Sequence, residues 1–225
     1  MTPIPVSPPA KDEIVDRLRQ LRLVPVIVID DPKAAPALGR ALAAGGLPCA
    51  EVTFRTIGAR ASIERMVAEC PDVLVGAGTV LTREQAMEAE KAGARFIVSP
   101  GFGPAVVDYC LERGIPVFPG VATPTEIELA MSRGLRILKF FPAEPLGGVK
   151  YLKAISAPYA SVEFIPTGGV GLLNLAEYLR IPCVVACGGS WVASAERIAE
   201  GDFKEIENAV RGAVKAIDEM EKRSE

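Results

Sequence analysis

The stretch VFPGVATPTEIELAMSRGLRILKFFPA, residues 117–143, holds one complete period of the chain's plan. An apolar, β-branched run (117–123) is followed by an amphipathic, helix-like segment (124–133), a glycine at Gly134, and a second apolar run (137–143). Outward from this unit the pattern repeats. Comparable runs occupy residues 24–29, 49–55, 73–79, 96–101, 163–169 and 184–190, so that eight strand candidates start at intervals of 20 to 26 residues. Helix-like stretches at 33–44, 83–92 and 104–113 fill gaps between them, and Gly45-Gly46, Gly93, Gly114 and Gly134 stand where helices end, as left-handed caps require. Parallel strands need crossovers and have both faces covered, so eight such βα units predict a closed (β/α)8 TIM barrel in a single domain. The competing open, doubly wound sheet lacks its Gly-x-Gly-x-x-Gly turn after the first strand. The barrel is expected over residues 12–225, ending in a long helix at 203–223 and preceded by a proline-rich lead, 1–11, that wraps the barrel or stays disordered.

With 225 residues, 49% of them hydrophobic and 24% charged, the chain can bury one substantial core. A net charge of −3 without a basic stripe gives no electrostatic reason to expect nucleic acid or an anionic membrane as partner. No apolar run approaches the length of a membrane span and no secretory leader is visible, so a soluble, cytoplasmic protein is expected. Five dispersed cysteines with no Cys-x-x-Cys pair read as reduced thiols. The sequence contains no histidine. That excludes a Ser-His-Asp triad and histidine-ligated metal centres, and leaves acid–base work to Glu, Asp, Lys, Tyr or Cys; no metal and no cofactor is expected.

Lys139 lies in Arg136-Ile137-Leu138-Lys139-Phe140-Phe141-Pro142, between large apolar side chains. Strand alternation puts it on the face of Ile137 and Phe141, inside the barrel. An ammonium there must find a partner or shift towards its neutral form, and a neutral amine attacks ketones and aldehydes to give a Schiff base. The bland alternative is a lysine whose stem packs while its head reaches solvent.

Barrel chemistry sits at the C-terminal ends of strands. On the second strand Glu51, Thr53 and Arg55 share a face, which points a carboxylate, a hydroxyl and a guanidinium into one cavity; a Glu51–Arg55 ion pair is the structural alternative. Thr79 closes the third strand behind small residues, where it serves a ligand or caps a helix. Pro100-Gly101 and Pro119-Gly120 close the fourth and fifth. The seventh and eighth end in Thr167-Gly168-Gly169 and Gly188-Gly189-Ser190, at the two strand ends where barrels commonly bind phosphate; ordinary exit turns are the alternative.

Taken together, the segments Glu51–Thr56, Gly76–Val80, Val98–Gly101, Pro119–Glu126, Leu138–Glu144, Pro166–Val170 and Gly188–Trp191 resemble the 2-keto-3-deoxy-6-phosphogluconate (KDPG) and 4-hydroxy-2-oxoglutarate aldolases of the class I, Schiff-base type. The resemblance runs from the second strand to the eighth. It implies a carbon–carbon lyase that cleaves KDPG to pyruvate and glyceraldehyde 3-phosphate, with Lys139 as Schiff-base nucleophile and Glu51 as general acid/base. It implies further that Arg55 and Thr79 hold the substrate carboxylate, that Pro100 and Phe141 line the pocket, and that Thr167, Gly168, Gly169, Gly189 and Ser190 line the phosphate site. A homotrimer is also what the family implies. Gly101-Phe102-Gly103-Pro104 departs from the family's pattern and bears on the substrate mouth, and Lys150 receives no role. Two alternatives stay open: a preference for the 6-phosphogalactonate epimer or for unphosphorylated 4-hydroxy-2-oxoglutarate, and an aldolase-derived barrel reused as an assembly scaffold.

Overall fold

The computed structural model describes residues 11–222. Eight strands, β1 (Leu23–Ile27), β2 (Cys49–Thr53), β3 (Leu74–Gly78), β4 (Ile97–Ser99), β5 (Val117–Val121), β6 (Ile137–Phe140), β7 (Glu163–Pro166) and β8 (Cys187–Gly189), alternate with helices. These are α1 (Lys11–Leu21), α2 (Ala35–Ala44, entered through a 3-10 turn at Pro32–Ala34), α3 (Ala59–Glu69), α4 (Arg83–Lys91), α5 (Pro104–Glu112), α6 (Pro124–Ser132), α7 (Gly148–Ser156), α8 (Leu175–Leu179), α9 (Ala195–Glu200) and α10 (Phe203–Lys222). The strands pair in parallel in the order β7-β6-β5-β4-β3-β2-β1-β8. Parallel bridges Phe164–Val184 and Thr167–Gly188 then join β7 to β8 and close the sheet into a barrel. The open doubly wound alternative is thereby excluded.

Alternation along each strand divides the apolar side chains between two cores. Ala50, Val52, Leu138, Phe140 and Phe164 face outward into the layer under the helices. Val24, Cys49, Leu74, Phe96, Val98, Phe118 and Ile165 face inward and fill the barrel. Several helices end as their glycines imply: Gly46, Gly93, Gly114 and Gly134 have positive φ, whereas Gly45 does not and remains helical.

One element was not foreseen. The segment KDEIVDRLRQL forms α1, whose Ile14 and Leu18 enter the inner core and plug the bottom of the barrel. Its opposite side is tied to the rim: Arg17 donates to the Pro48 and Asp72 carbonyls, and Arg19 grips both Glu163 oxygens at 2.7 and 2.5 Å. The proline-rich lead expected at 1–11 lies outside the described residues except for Lys11, which opens α1. Among the described residues no helix is long and apolar enough to cross a membrane.

The strands are also shorter than their apolar runs suggest, and all are cut at the C-terminal end. Arg55, Thr79, Pro100, Phe141, Gly168, Gly169 and Ser190 all lie beyond the last strand residue, in the loops of the barrel mouth.

Leu18 is fully buried beneath the site. Leu18→Ala should therefore cost about 2–5 kcal/mol in denaturant unfolding; a midpoint equal to that of the parent would show that α1 does not plug the barrel.

Candidate active site

Lys139 on β6 and Glu51 on β2 project from opposite walls into the upper barrel and meet with Nζ and Oε1 3.5 Å apart. They retain only 5% and 3% of their exposure. Neither charge could be held alone in this setting at less than several kcal/mol, so the pair is the condition for either to be present. The amine also lies 5.1 Å from the centroid of the Phe141 ring, within range of a cation–π contact when it is charged. The snorkelling alternative fails, because the head of Lys139 ends inside the barrel.

Small residues make the room. Glu51 is level with Gly76 of β3, and a Cβ at Gly78 would fall 2.2 Å from Glu51 Oε1. Any side chain at that position would expel the carboxylate from its place. Lys139 is level with Gly120 of β5, where a Cβ would strike the Pro100 carbonyl at 2.0 Å. Pro100 is thus brought against the strand beside the lysine. A small cavity of about 10 Å³ lies between Glu51, Lys139 and Thr167 above and Leu18, Val24, Phe96, Val98, Phe118 and Ile165 below.

The three polar residues of β2 do not act as one group. Thr53 is fully buried, and its hydroxyl donates to the Ile27 carbonyl of β1 at 2.7 Å, so it serves the sheet. Arg55 is exposed in the turn after β2 and has no hydrogen-bond or ion-pair partner among the described residues. The Glu51–Arg55 pair considered from the sequence does not form; Glu51 takes Lys139 instead. Arg55 is left with its fork of donors free at the mouth. Thr79 follows β3 with φ +54°, a left-handed conformation rare for a β-branched residue. Strain of this kind, about 1–3 kcal/mol, collects at binding sites.

The exits of β7 and β8 divide into two levels. Thr167, 7% exposed, is enclosed: it walls the same cavity as Glu51 and Lys139, and a Cβ on Gly188 would lie 2.3 Å from its Oγ1. Gly168 and Gly169, with φ of +98° and +83°, turn the chain outward. Their N–H groups donate to no acceptor among the described residues, and neither does that of Ser190, which is exposed. Three free backbone donors on adjacent loops suit an anion. Gly189 is different: it pairs with Pro25 inside the sheet, and Trp191 and Leu23 fill the space over it.

Gly78 and Gly188 clear the space for Glu51 Oε1 and Thr167 Oγ1, contacts that strand patterning did not assign to them. Their signal was present in the small-residue pairs next to polar strand ends. Phe102, expected to bear on the mouth, packs instead against the outer core, with the Arg133 guanidinium 5.2 Å from its ring centroid. Cysteine is removed from the acid–base candidates inside the barrel, because burial pushes the Cys49 thiol up to about 12 and keeps it protonated. Among the described residues no cluster of His, Cys, Asp and Glu could hold a metal ion.

Comparison with known proteins adds an independent line. The family model described as "KDPG and KHG aldolase" matches residues 14–209. The 2-dehydro-3-deoxy-phosphogluconate aldolase of Treponema pallidum is 52% identical over 193 residues, 86% of this chain and 92% of that protein. Its counterpart from Haemophilus influenzae is 44% identical over 205 residues, 91% of this chain and 97% of that protein. The crystal structure of KDPG aldolase from Legionella pneumophila, with pyruvate captured at low pH as a covalent carbinolamine intermediate, matches with a TM-score of 0.85 at 38% identity, covering 88% of this chain and 97% of that one. A barrel with a lysine and a carboxylate facing each other at its mouth thus carries, along nearly its whole length, the sequence of a known lineage: the chain belongs to the KDPG and KHG aldolase family.

Proposed function

We propose that the protein is a class I aldolase that cleaves 2-keto-3-deoxy-6-phosphogluconate to pyruvate and glyceraldehyde 3-phosphate through a Schiff base on Lys139. The observation that carries this reading is the buried Lys139–Glu51 pair, a nucleophile and a proton carrier 3.5 Å apart at the mouth of an otherwise apolar barrel. Glu51 takes the ammonium proton, and the freed amine adds to the C2 ketone of the substrate. The same carboxyl group returns a proton to the carbinolamine oxygen, water leaves, and a protonated imine forms. Its positive nitrogen draws in the electrons of the C3–C4 bond while Glu51, again a carboxylate, removes the C4 hydroxyl proton. The aldehyde departs, the enamine takes that proton back at C3, and hydrolysis of the imine releases pyruvate and the lysine.

Arg55, free at the mouth, suits the substrate carboxylate because its fork can meet both oxygens, and Thr79 adds a hydroxyl beside it. Pro100 and Phe141 flank the imine. The free N–H groups of Gly168, Gly169 and Ser190 suit the phosphate, with Gly189 supporting that loop from within the sheet. Thr167, enclosed with Lys139 and Glu51, stands between the two subsites. Residues 12–225 act as one catalytic domain after a lead of 1–11, assembled as a homotrimer in the cytoplasm. No cofactor enters the cycle.

Borohydride added with pyruvate should leave a reduced pyruvyl adduct on the peptide that carries Lys139. The adduct should be absent in a Lys139→Ala variant whose circular dichroism shows it folded. A folded parent protein that gives no adduct would rule out the Schiff-base class, and with a large assembly by light scattering it would favour the scaffold reading.

Removing the phosphate tests the outer subsite. With 4-hydroxy-2-oxoglutarate in place of KDPG, kcat/KM should fall by about 100-fold, the effect of losing two charge-assisted hydrogen bonds at roughly 1.4 kcal/mol each. Equal efficiency would instead assign the unphosphorylated acid, and a higher efficiency on the 6-phosphogalactonate epimer would reassign the sugar.

A further inference from the structure

Beside the Gly168-Gly169 turn lies a carboxylate that the reaction does not use. Glu144, three residues after Phe141, accepts a hydrogen bond from the hydroxyl of Tyr178 on α8. Tyr178 is fully buried, and burial followed by the hydrogen bond to Glu144 raises its phenol above the ordinary range, so it remains a donor at any physiological pH. A carboxylate close to a loop that receives a phosphate dianion weakens that binding electrostatically. Its contacts indicate what it supplies in return.

The backbone of this segment runs alongside the exit of β7: Ala143 N–H donates to the Thr167 carbonyl at 2.9 Å and Glu144 N–H to the Gly168 carbonyl at 3.0 Å. The Glu144 stem then lies directly under the glycine turn. A Cβ on Gly169 would fall 2.6 Å from Glu144 Cβ, and one on Gly148 would fall 2.9 Å from Glu144 Oε1 and 3.4 Å from the Tyr178 hydroxyl. The carboxylate is therefore clamped between the β7 exit, the first turn of α7 and α8. On its far side the turn is held by Asn174, whose side chain accepts from Gly171 N–H at 2.8 Å and donates to the Gly169 carbonyl at 3.2 Å. With its carbonyls occupied on both sides, the turn keeps its Gly168 and Gly169 N–H groups unoccupied and fixed in direction.

We infer that Glu144, latched by Tyr178, is a positioning residue that holds the Gly168 and Gly169 N–H groups ready for the substrate phosphate. This deepens the proposed function and rests on its assignment of the phosphate loop. A turn that must order itself on binding loses affinity that a preorganised one retains. The latch therefore acts on phosphate affinity, while the Lys139–Glu51 chemistry, on the other side of Thr167, is largely independent of it.

Inorganic phosphate, titrated calorimetrically into the full-length protein, reads the latch without turnover. Glu144→Ala and Tyr178→Phe should each weaken phosphate binding by about tenfold, the worth of one hydrogen bond's ordering. The double variant should be little worse than either, since both break one link. Glu144→Gln, whose amide oxygen can still accept from Tyr178, should recover most of the affinity. With KDPG the loss should fall on KM more than on kcat, and borohydride trapping of pyruvate should keep its rate. Phosphate affinity within twofold of the parent in both single variants would overturn the inference. So would parallel losses of phosphate affinity and pyruvate trapping, which would mean general distortion of the barrel mouth. A parent protein that traps no pyruvate counts against the aldolase chemistry alone, because the phosphate titration still decides the latch.

Discussion

The ion pair between Lys139 and Glu51 is the constraint to which the rest of the barrel is fitted. Two opposite charges 3.5 Å apart inside an apolar barrel are tolerable together and costly apart. The pair can form only if two strands on opposite sides of the barrel present long side chains at the same height, with nothing bulky between them. Gly78 on β3 meets that condition directly, because a Cβ there would fall on the Glu51 carboxylate, while Gly76 and Gly120 give room to the Phe96 ring and the Pro100 carbonyl that border the pair. Below the pair, Phe96, Phe118 and the α1 plug fill the barrel, and above it the strands stop early, so the amine and carboxylate face the loops of the mouth.

This fitting separates stability from chemistry along the barrel axis. The lower barrel is packed with aliphatic and aromatic side chains and tied at its rim by Arg17 and Arg19. The mouth holds groups that the fold does not use: a strained Thr79, an unpartnered Arg55, and free backbone N–H groups at Gly168, Gly169 and Ser190. Only the Thr79 backbone is costly in itself; Arg55 and the N–H groups of Gly169 and Ser190 are exposed to water and stand available to a ligand. An intact lower core lets the mouth carry that strain without unfolding the whole.

Much of this was legible because it is periodic. The spacing of the apolar runs predicted eight strands and their closure, and alternation placed Lys139 and Glu51 inside the barrel. What escaped was set by tertiary contacts. KDEIVDRLRQL precedes the first apolar run and carries no part of the strand period; that Ile14 and Leu18 plug a barrel is visible only once the barrel exists to receive them. Strand ends were overestimated because hydropathy does not change where the backbone turns, as at Thr79. Thr53 appeared equivalent to Glu51 by alternation, yet its hydroxyl reaches the Ile27 carbonyl of the next strand and is used there. The segment holding Phe102 was tied to the mouth because it departs from the family's pattern, while the Phe102 ring follows the outer core and the Arg133 guanidinium.

The absence of histidine then has a geometric explanation. Every proton in the proposed cycle moves on or off an atom within reach of one point: the lysine nitrogen, the carbinolamine oxygen, the C4 hydroxyl and C3 all pass the same carboxyl group. One group that alternates between acid and base is sufficient when the substrate is tethered and the steps come in strict sequence. A second titrating group in that space would have to be buried as well, and among the described residues the interior supplies none: the Cys49 thiol stays protonated, and the Tyr178 phenol is committed to Glu144 outside the barrel. In the proposed cycle the tether formed by Lys139 therefore does two tasks. It activates the carbonyl, and it holds each successive intermediate against the single carboxylate that serves them all.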